Sequence, residues 1–544
     1  MLKLATLLDN PGEPALDSQY RDPKVLLDLG YNGLVLYEST AVSGVAAPDD
    51  VADPEMQRWV AARFDRLSER ITKAAEAGLK PYLSYDALVL PRERAAALGP
   101  NPDLLADDAV CASVDALTGM LERWPELAGV VLRLGDNDAK RLPYLVAGDV
   151  YRTPPGQPHG QLATAERAAR LIDAFYKRVV DRAGKTLIVR AWNVRPGGFH
   201  DAPDLAADIA RQLPGPEDDP NLVLSFKFTQ TDFWRWQAWN PASLAVGKRP
   251  VIYELQCARE FEGKGGFPNW QAPLWRDGPP ECAPRQTPPG EPEPFAGGLR
   301  QASERINYAG VFAWVRGGGW GGPFVTDERW IDANVYAAPR LADDPDIPLQ
   351  DLAEGWVRDR LAPVRSGVAK AMQRVLFDSV ELSRQLFYVG PWAQQRDEPW
   401  NPAGDWLRDD LVDAESLRHL LDGLSEEALA AAVREKESAA AAASRLRAEL
   451  QTAVRDRRDD PLEPLVNSLL SLECFAQALR DLVAGVAANR RQGPNHVTPK
   501  LLAAQSHWNH YAQRFAALQG VATPFRERRF WELTQGLLDQ NQQA

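Results

Sequence analysis

Asp232 and Glu260 stand 28 positions apart, the first closing the apolar run LVLSFKFTQTD and the second just past VIYELQCAR. Two carboxyl groups presented from neighbouring strands can act as proton donor and water-activating base. Glycoside hydrolysis needs that pairing, with separations of roughly 6.5 to 9.5 Å for inversion and about 5 Å for retention. Asp136 and Asp138, flanking Asn137 in GVVLRLGDND, could do the same work, as could Asp17 after the first apolar run and His159 further along the chain. A lone carboxylate at a strand end is also what the following helix favours at its start, so position alone assigns none of them. Cations interrupt three neighbouring runs: Arg133 in GVVLRLGDND, Arg190 in TLIVRAWN and Lys227 in LVLSFKFTQTD. Burying a cation unpaired costs several kcal/mol. Each therefore pairs with a carboxylate of the same fold, or the three converge on a bound sugar carboxylate or phosphate.

These residues need a scaffold that brings strand ends together. Eight apolar runs of strand length alternate with helical patterns over the first 320 residues: 3–9, 34–38, 81–90, 129–136, 186–193, 222–232, 251–257 and 310–316. Between them lie amphipathic stretches such as Glu55 to Gly78, with Trp59, Phe64, Leu67, Ile71 and Ala75 at helical spacing. No glycine-rich phosphate turn follows the first run, so the pattern favours a closed (β/α)8 TIM barrel over a doubly wound open sheet. Past Pro348 the strands stop and long helical stretches follow, including Ser425 to Arg455 and Leu462 to Val486. The expected organisation is a barrel over residues 1–345 and an all-α C-terminal domain over 346–544. Trp275 to Ala296, rich in Pro and Gly, is expected to be a long irregular loop beside the barrel mouth.

A net charge of −13 disfavours nucleic acid and anionic membranes, and no run has the roughly 18 to 20 apolar residues of a membrane span. Cys111, Cys257, Cys282 and Cys474 lie far apart without ligand spacing, so neither a metal site nor a disulfide framework is expected, and no cofactor is implied. The start of the chain reads as a strand rather than a signal peptide, which makes cytoplasmic the default compartment, with periplasmic or secreted the alternative if a leader has been removed. Apolar faces on the helical domain would allow a homodimer through it. The chain carries 17 tryptophans, several in loops after strands, where a flat ring either fills the core or stacks on a sugar.

Three stretches resemble the α-glucuronidases of glycoside hydrolase family 67: LIVRAWNV from Leu187, LSFKFTQTDFWRWQAWNPASLAVGKRPVIYELQCAREFEGKG from Leu224, and WIDANVYAAPRLADDPDIPLQDLAEGWV from Trp330. With the cation of the fourth run included, the likeness spans about residues 129–360. It implies an inverting hydrolase of acidic oligosaccharides in which Arg133, Arg190 and Lys227 hold a uronate carboxylate, Asp232 and Glu260 position and deprotonate the attacking water, and Glu254 is structural. That family's acid is a Glu shortly after the cation of strand four, where this chain reads Asp136, Asn137, Asp138. The acid therefore stays open among Asp136, Asp138, His159 and Asp17, with Asn137 a substrate-binding candidate. The chain begins directly at strand one, without the family's additional amino-terminal domain, so polymer recognition is expected to differ. The inverting sialidases of glycoside hydrolase family 156 are a second likeness. Asp17 matches their aspartate after strand one, but nothing matches their histidine after strand four. A catalytically silent acidic-sugar-binding protein is the rival from another class, and a phosphosugar isomerase or aldolase would want a catalytic Lys or metal ligands. The run RGGGWGGP from Arg316 lacks the phosphate-loop pattern and is expected to set Trp320 at the pocket rim, with Asn334 of the next helix reaching the same pocket.

Overall fold

The computed structural model describes residues 1–8, 18–99, 103–135, 142–151, 160–193, 197–260, 262–283, 295–317, 327–361, 364–393, 423–454, 461–492, 498–516, 535–536 and 539. Eight parallel strands close into a barrel: β1 (Leu2–Leu7), β2 (Gly33–Leu36), β3 (Lys80–Asp86), β4 (Gly129–Arg133), β5 (Thr186–Arg190), β6 (Leu222–Lys227), β7 (Pro250–Gln256) and β8 (Asn307–Arg316). β1 pairs with both β2 and β8, so the sheet has no edge.

Side chains alternate along a strand, and that parity organises the interior. Leu4, Val35, Tyr82, Val131, Ile188, Val223, Ile252 and Phe312, one from each strand, form a separate apolar cluster that fills the barrel. Burying an aliphatic side chain of this size is worth roughly 1.5–3 kcal/mol. The same parity carried two or four residues toward the strand ends reaches Tyr37, Asp86, Arg133, Arg190, Ser225, Lys227, Glu254, Gln256 and Trp314. The barrel is thus apolar at mid-height and polar at its C-terminal mouth. At Gly310, with φ +137°, a β-carbon would lie 1.9 Å from the Leu2 carbonyl oxygen, so only glycine lets β8 lie against β1 there.

The helix read from Glu55 to Gly78 runs Pro54–Ala77. Asp53 caps its start, accepting from the N–H groups of Glu55 (2.7 Å) and Met56 (3.0 Å), and Gly78 ends it at φ 93°. Its buried face is Val60, Phe64, Leu67, Ile71 and Ala74, so Trp59 and Ala75 flank the stripe instead of belonging to it.

Three further expectations are corrected. The run 81–90 is not one strand: β3 ends at Asp86, and Val89–Pro91 turns out of the barrel to pair antiparallel with Leu145–Ala147. The sixth run leaves the barrel at Lys227, not Asp232. Trp275 to Ala296 is not wholly irregular, since the helix Ala272–Asp277 and a turn of 3-10 helix at Pro280–Cys282 enter it; residues 284–294 lie outside the described set.

Beyond the barrel the described chain is helical: Leu349–Arg360, Ser366–Phe387, Glu426–Val454, Glu463–Gln492 and Thr498–Ala516. None of the described helices is long and apolar enough to cross a membrane. The first of these helices is fastened to the barrel through buried Asp332, which accepts from Tyr20 Oη (3.0 Å), Trp356 Nε1 (3.0 Å) and Arg360 Nε (2.9 Å). Later helices dock on the segments that follow β7 and β8, with Trp330 Nε1 donating to Ser468 Oγ (2.7 Å) and Trp270 N to Ser379 Oγ (3.1 Å).

Candidate active site

Strand register lines up the polar residues of the mouth. Asp86 lies opposite Arg133, Arg133 opposite Arg190, Arg190 opposite Ser225, and Lys227 opposite Glu254. Adjacent strands are about 4.8 Å apart, so this row gathers the cations and carboxyl groups at one level of the barrel mouth. Arg133 pairs with Asp86 (Nε to Oδ1, 3.3 Å) and lies over the Tyr37 ring at 4.9 Å. Arg190 Nε donates to both oxygens of Glu254 (2.9 and 3.1 Å) and its guanidinium lies 4.9 Å from the Trp314 ring. Lys227 pairs with Asp232 and sits 3.6 Å from the Trp192 ring. All three cations are buried. Each already has a carboxylate of the same barrel, which is the first of the two arrangements open from sequence; the charge of the cluster therefore does not itself require an anionic ligand.

Glu254 is fully buried and also accepts from Ser225 Oγ (3.0 Å) and Trp314 Nε1 (3.1 Å). With its oxygens occupied on three sides it orders the mouth and has no room to meet a substrate. Asp232 differs, keeping 23% of its side chain exposed. Glu260 is half-buried; its Oε2 accepts from Gln256 Nε2 (2.9 Å), and Gln256 Oε1 takes the Glu260 N–H (2.7 Å). Burial, and then the negative charge of Asp232, raise the Glu260 carboxyl from 4.5 to about 7, against the partial offset of Lys227, the Gln256 hydrogen bond and Lys264. One site thus holds a carboxyl that keeps its proton up to about pH 7 beside the Asp232 side chain paired with the Lys227 ammonium. That division of labour is what separates an acid from a base in a pair of chemically similar groups.

The backbone beside both groups is unusual. Phe233 (φ 61°) and Arg259 (φ 54°), next to Asp232 and Glu260, occupy the left-handed region without being glycine. Such residues cost on the order of 1–3 kcal/mol and persist where surrounding contacts impose them. The Arg259 side chain forms a buried fork with Glu262 (Nε to Oε2, 2.9 Å), and Phe233 packs against Phe228 with ring centroids 6.1 Å apart.

Of the other candidates, Asn334 is buried with its amide engaged by backbone: Oδ1 accepts from Gln271 N (2.8 Å), and Nδ2 donates to the carbonyls of Cys257 and Asn269 (2.9 Å each). It ties its helix to the loop that follows β7. Asp17, Asp136, Asn137, Asp138, His159 and Trp320 lie outside the described residues. Sequence reasoning passed over Asp86, although it interrupts an apolar run as Arg133 does, and Gln256, whose inward parity matches Glu254. Nothing local marks Trp192 or Trp314 as the rings that flank the cations.

No family model and no curated protein matches the sequence. Among solved structures, the chain is similar to a GH138 enzyme targeting pectin rhamnogalacturonan II, with a TM-score of 0.57 and 12% identity over 100% of this chain and 67% of that one. A mutant of the Thermobaculum terrenum O-GlcNAc hydrolase aligns at a TM-score of 0.41 with 9% identity, over 99% of this chain and 93% of that one. These structural neighbours are glycoside hydrolases, and the first shows the fold: a (β/α)8 barrel continued by helices.

Proposed function

We propose that this protein is a glycoside hydrolase that removes a carboxylate-bearing sugar, of the uronic acid class, from a glycan by an inverting mechanism. The observation that carries the reading is the Glu260–Asp232 pair in the loops that follow consecutive barrel strands, one carboxyl held protonated up to about pH 7 and the other tethered to Lys227. In this assignment Glu260 protonates the departing glycosidic oxygen and Asp232 takes a proton from the attacking water. The resemblance at sequence level places both residues on the water, so the assignment of Glu260 as acid comes from its environment.

The uronate reading is supported by Arg133, Arg190 and Lys227 sharing one mouth and by the likeness of the segments that carry them. Because their charges are already balanced within the barrel, a sugar carboxylate would be recognised by the geometry of hydrogen-bond donors more than by net charge. Binding should then depend weakly on ionic strength, unlike that of a ligand drawn in by an uncompensated patch.

The test is proton NMR of the anomeric signals during incubation with aldobiouronic-type α-glucuronides, with acidic fragments of rhamnogalacturonan II, and with sialyllactose. Release of a free uronic acid that appears first with its anomeric configuration inverted supports the reading. Retention of configuration removes the inverting step. Release of sialic acid alone moves the assignment to the sialidase alternative, and binding without release of any sugar leaves a silent sugar-binding protein.

A further inference from the structure

Tyr388 follows directly on the Ser366–Phe387 helix, outside the barrel, and is completely buried. Its hydroxyl lies between the two loops that carry the candidate pair. It accepts the Arg235 N–H at 3.1 Å and donates to Glu262 Oε1. Arg235 is three residues beyond Asp232, and Glu262 two beyond Glu260. A phenol has one donor and an acceptor oxygen, so a single atom can serve both loops at once.

The surroundings make that atom a fixed point. Glu262 is buried, and also accepts from Arg259 Nε (2.9 Å) and Asn269 Nδ2 (2.7 Å). Burial works against its charge, but Arg259 and the hydrogen bonds from Arg259, Tyr388 and Asn269 hold its carboxyl below the usual range, so the acceptor stays ionised. Arg235 reaches back to the same helix through Nη1 to the Val380 carbonyl (2.7 Å) and pairs with Glu281. The Tyr388 backbone is pinned from the far side: Lys436, buried in the Glu426–Val454 helix, donates to the carbonyls of Gln385 and Tyr388. These are the carbonyls that a helix end leaves unpaired.

We infer that Tyr388 is a positioning residue of this site: its hydroxyl sets the separation of the β6 and β7 loops, and the end of the Ser366–Phe387 helix thereby helps present Asp232 and Glu260 to one bond. The left-handed residues Phe233 and Arg259, each adjacent to one of the pair, are the points where a loosened loop would relax first. The inference rests on the glycosidase reading for its kinetic consequence, but the geometry of the pair can be read without turnover.

The experiment uses the full chain carrying Tyr388→Phe, with Leu446→Ala as a control for stability. Leu446 is buried in the helix that holds Lys436, roughly 15 Å further along it. Turnover of an aldobiouronic-type α-glucuronide is measured beside the titration of the Glu260 side-chain carboxyl by 13C NMR, its signal identified by its loss in Glu260→Gln. Tyr388→Phe should lower kcat by about ten- to a hundredfold with KM changed by less than about threefold. It should also move the Glu260 midpoint down from about 7, as a loosened loop admits water. Leu446→Ala should lower Tm yet leave kcat and the midpoint in place below its melting range. If Tyr388→Phe does no more than Leu446→Ala on either readout, the positioning role is overturned while wild-type turnover keeps the glycosidase reading. If wild type releases no sugar yet the midpoint moves in Tyr388→Phe alone, the positioning stands and the glycosidase reading falls.

Discussion

Glu260→Gln keeps the shape of the side chain and an oxygen for Gln256 Nε2, but removes the ionisable group. In the folded chain the Glu260 carboxyl titrates at about 7 against an ordinary 4.5, and every tenfold gain in proton affinity corresponds to about 1.4 kcal/mol. Below about pH 4.5 the group is protonated in folded and unfolded chains alike. From there to about pH 7 the folded chain keeps a proton that the unfolded chain has released, so stability falls as pH rises. Above about pH 7 both are ionised, and the folded state carries a constant penalty of about 3 kcal/mol. Glutamine has no such penalty. The variant should therefore gain stability relative to wild type between about pH 5 and pH 8, by up to about 3 kcal/mol, while losing turnover. Urea unfolding of both proteins at a series of pH values measures this, since titrating groups that do not interact with Glu260 cancel in the difference. A difference that stays level across that range would falsify the raised carboxyl and with it the assignment of Glu260 as acid.

Lys227→Met removes the positive charge that favours the ionised form of Glu260, so the Glu260 midpoint should rise above about 7; a 13C titration showing no change or a fall would contradict the proximity of the three groups. Glu254→Gln leaves the buried Arg190 guanidinium without its counter-charge and should destabilise the fold by about 3–5 kcal/mol, read as a lower urea midpoint with an unchanged slope. A loss below about 1 kcal/mol would mean that Arg190 is neutralised in some other way.

Much of the barrel is legible along the chain because its determinants are local. Strand parity runs unbroken from Val131 to Arg133 and from Ile188 to Arg190, so a run with a charged residue two places past an apolar one already describes a barrel strand with a polar mouth. The helix Pro54–Ala77 is marked by Asp53, Pro54 and Gly78, which act within one turn of its ends. Strand ends were less legible. Val89 and Leu90 are as apolar as β3, and only pairing with Leu145–Ala147 takes them out of the barrel.

By itself the sequence determined the eight barrel strands, the inward parity that lines carboxylates and cations along the mouth, and the presence of Asp232 and Glu260 a few residues past consecutive strands. The tertiary structure decided which charge meets which. Arg133 meets Asp86 because strand register sets them side by side, and Arg190 reaches past Ser225 on the strand between to Glu254 because both point into the closed barrel; their separations of 47 and 64 residues along the chain carry no signal of it. It also decided that Glu260 keeps a proton toward neutral pH, because it shares a confined space with Asp232, and a carboxyl's proton affinity is set by the charges and the water around it.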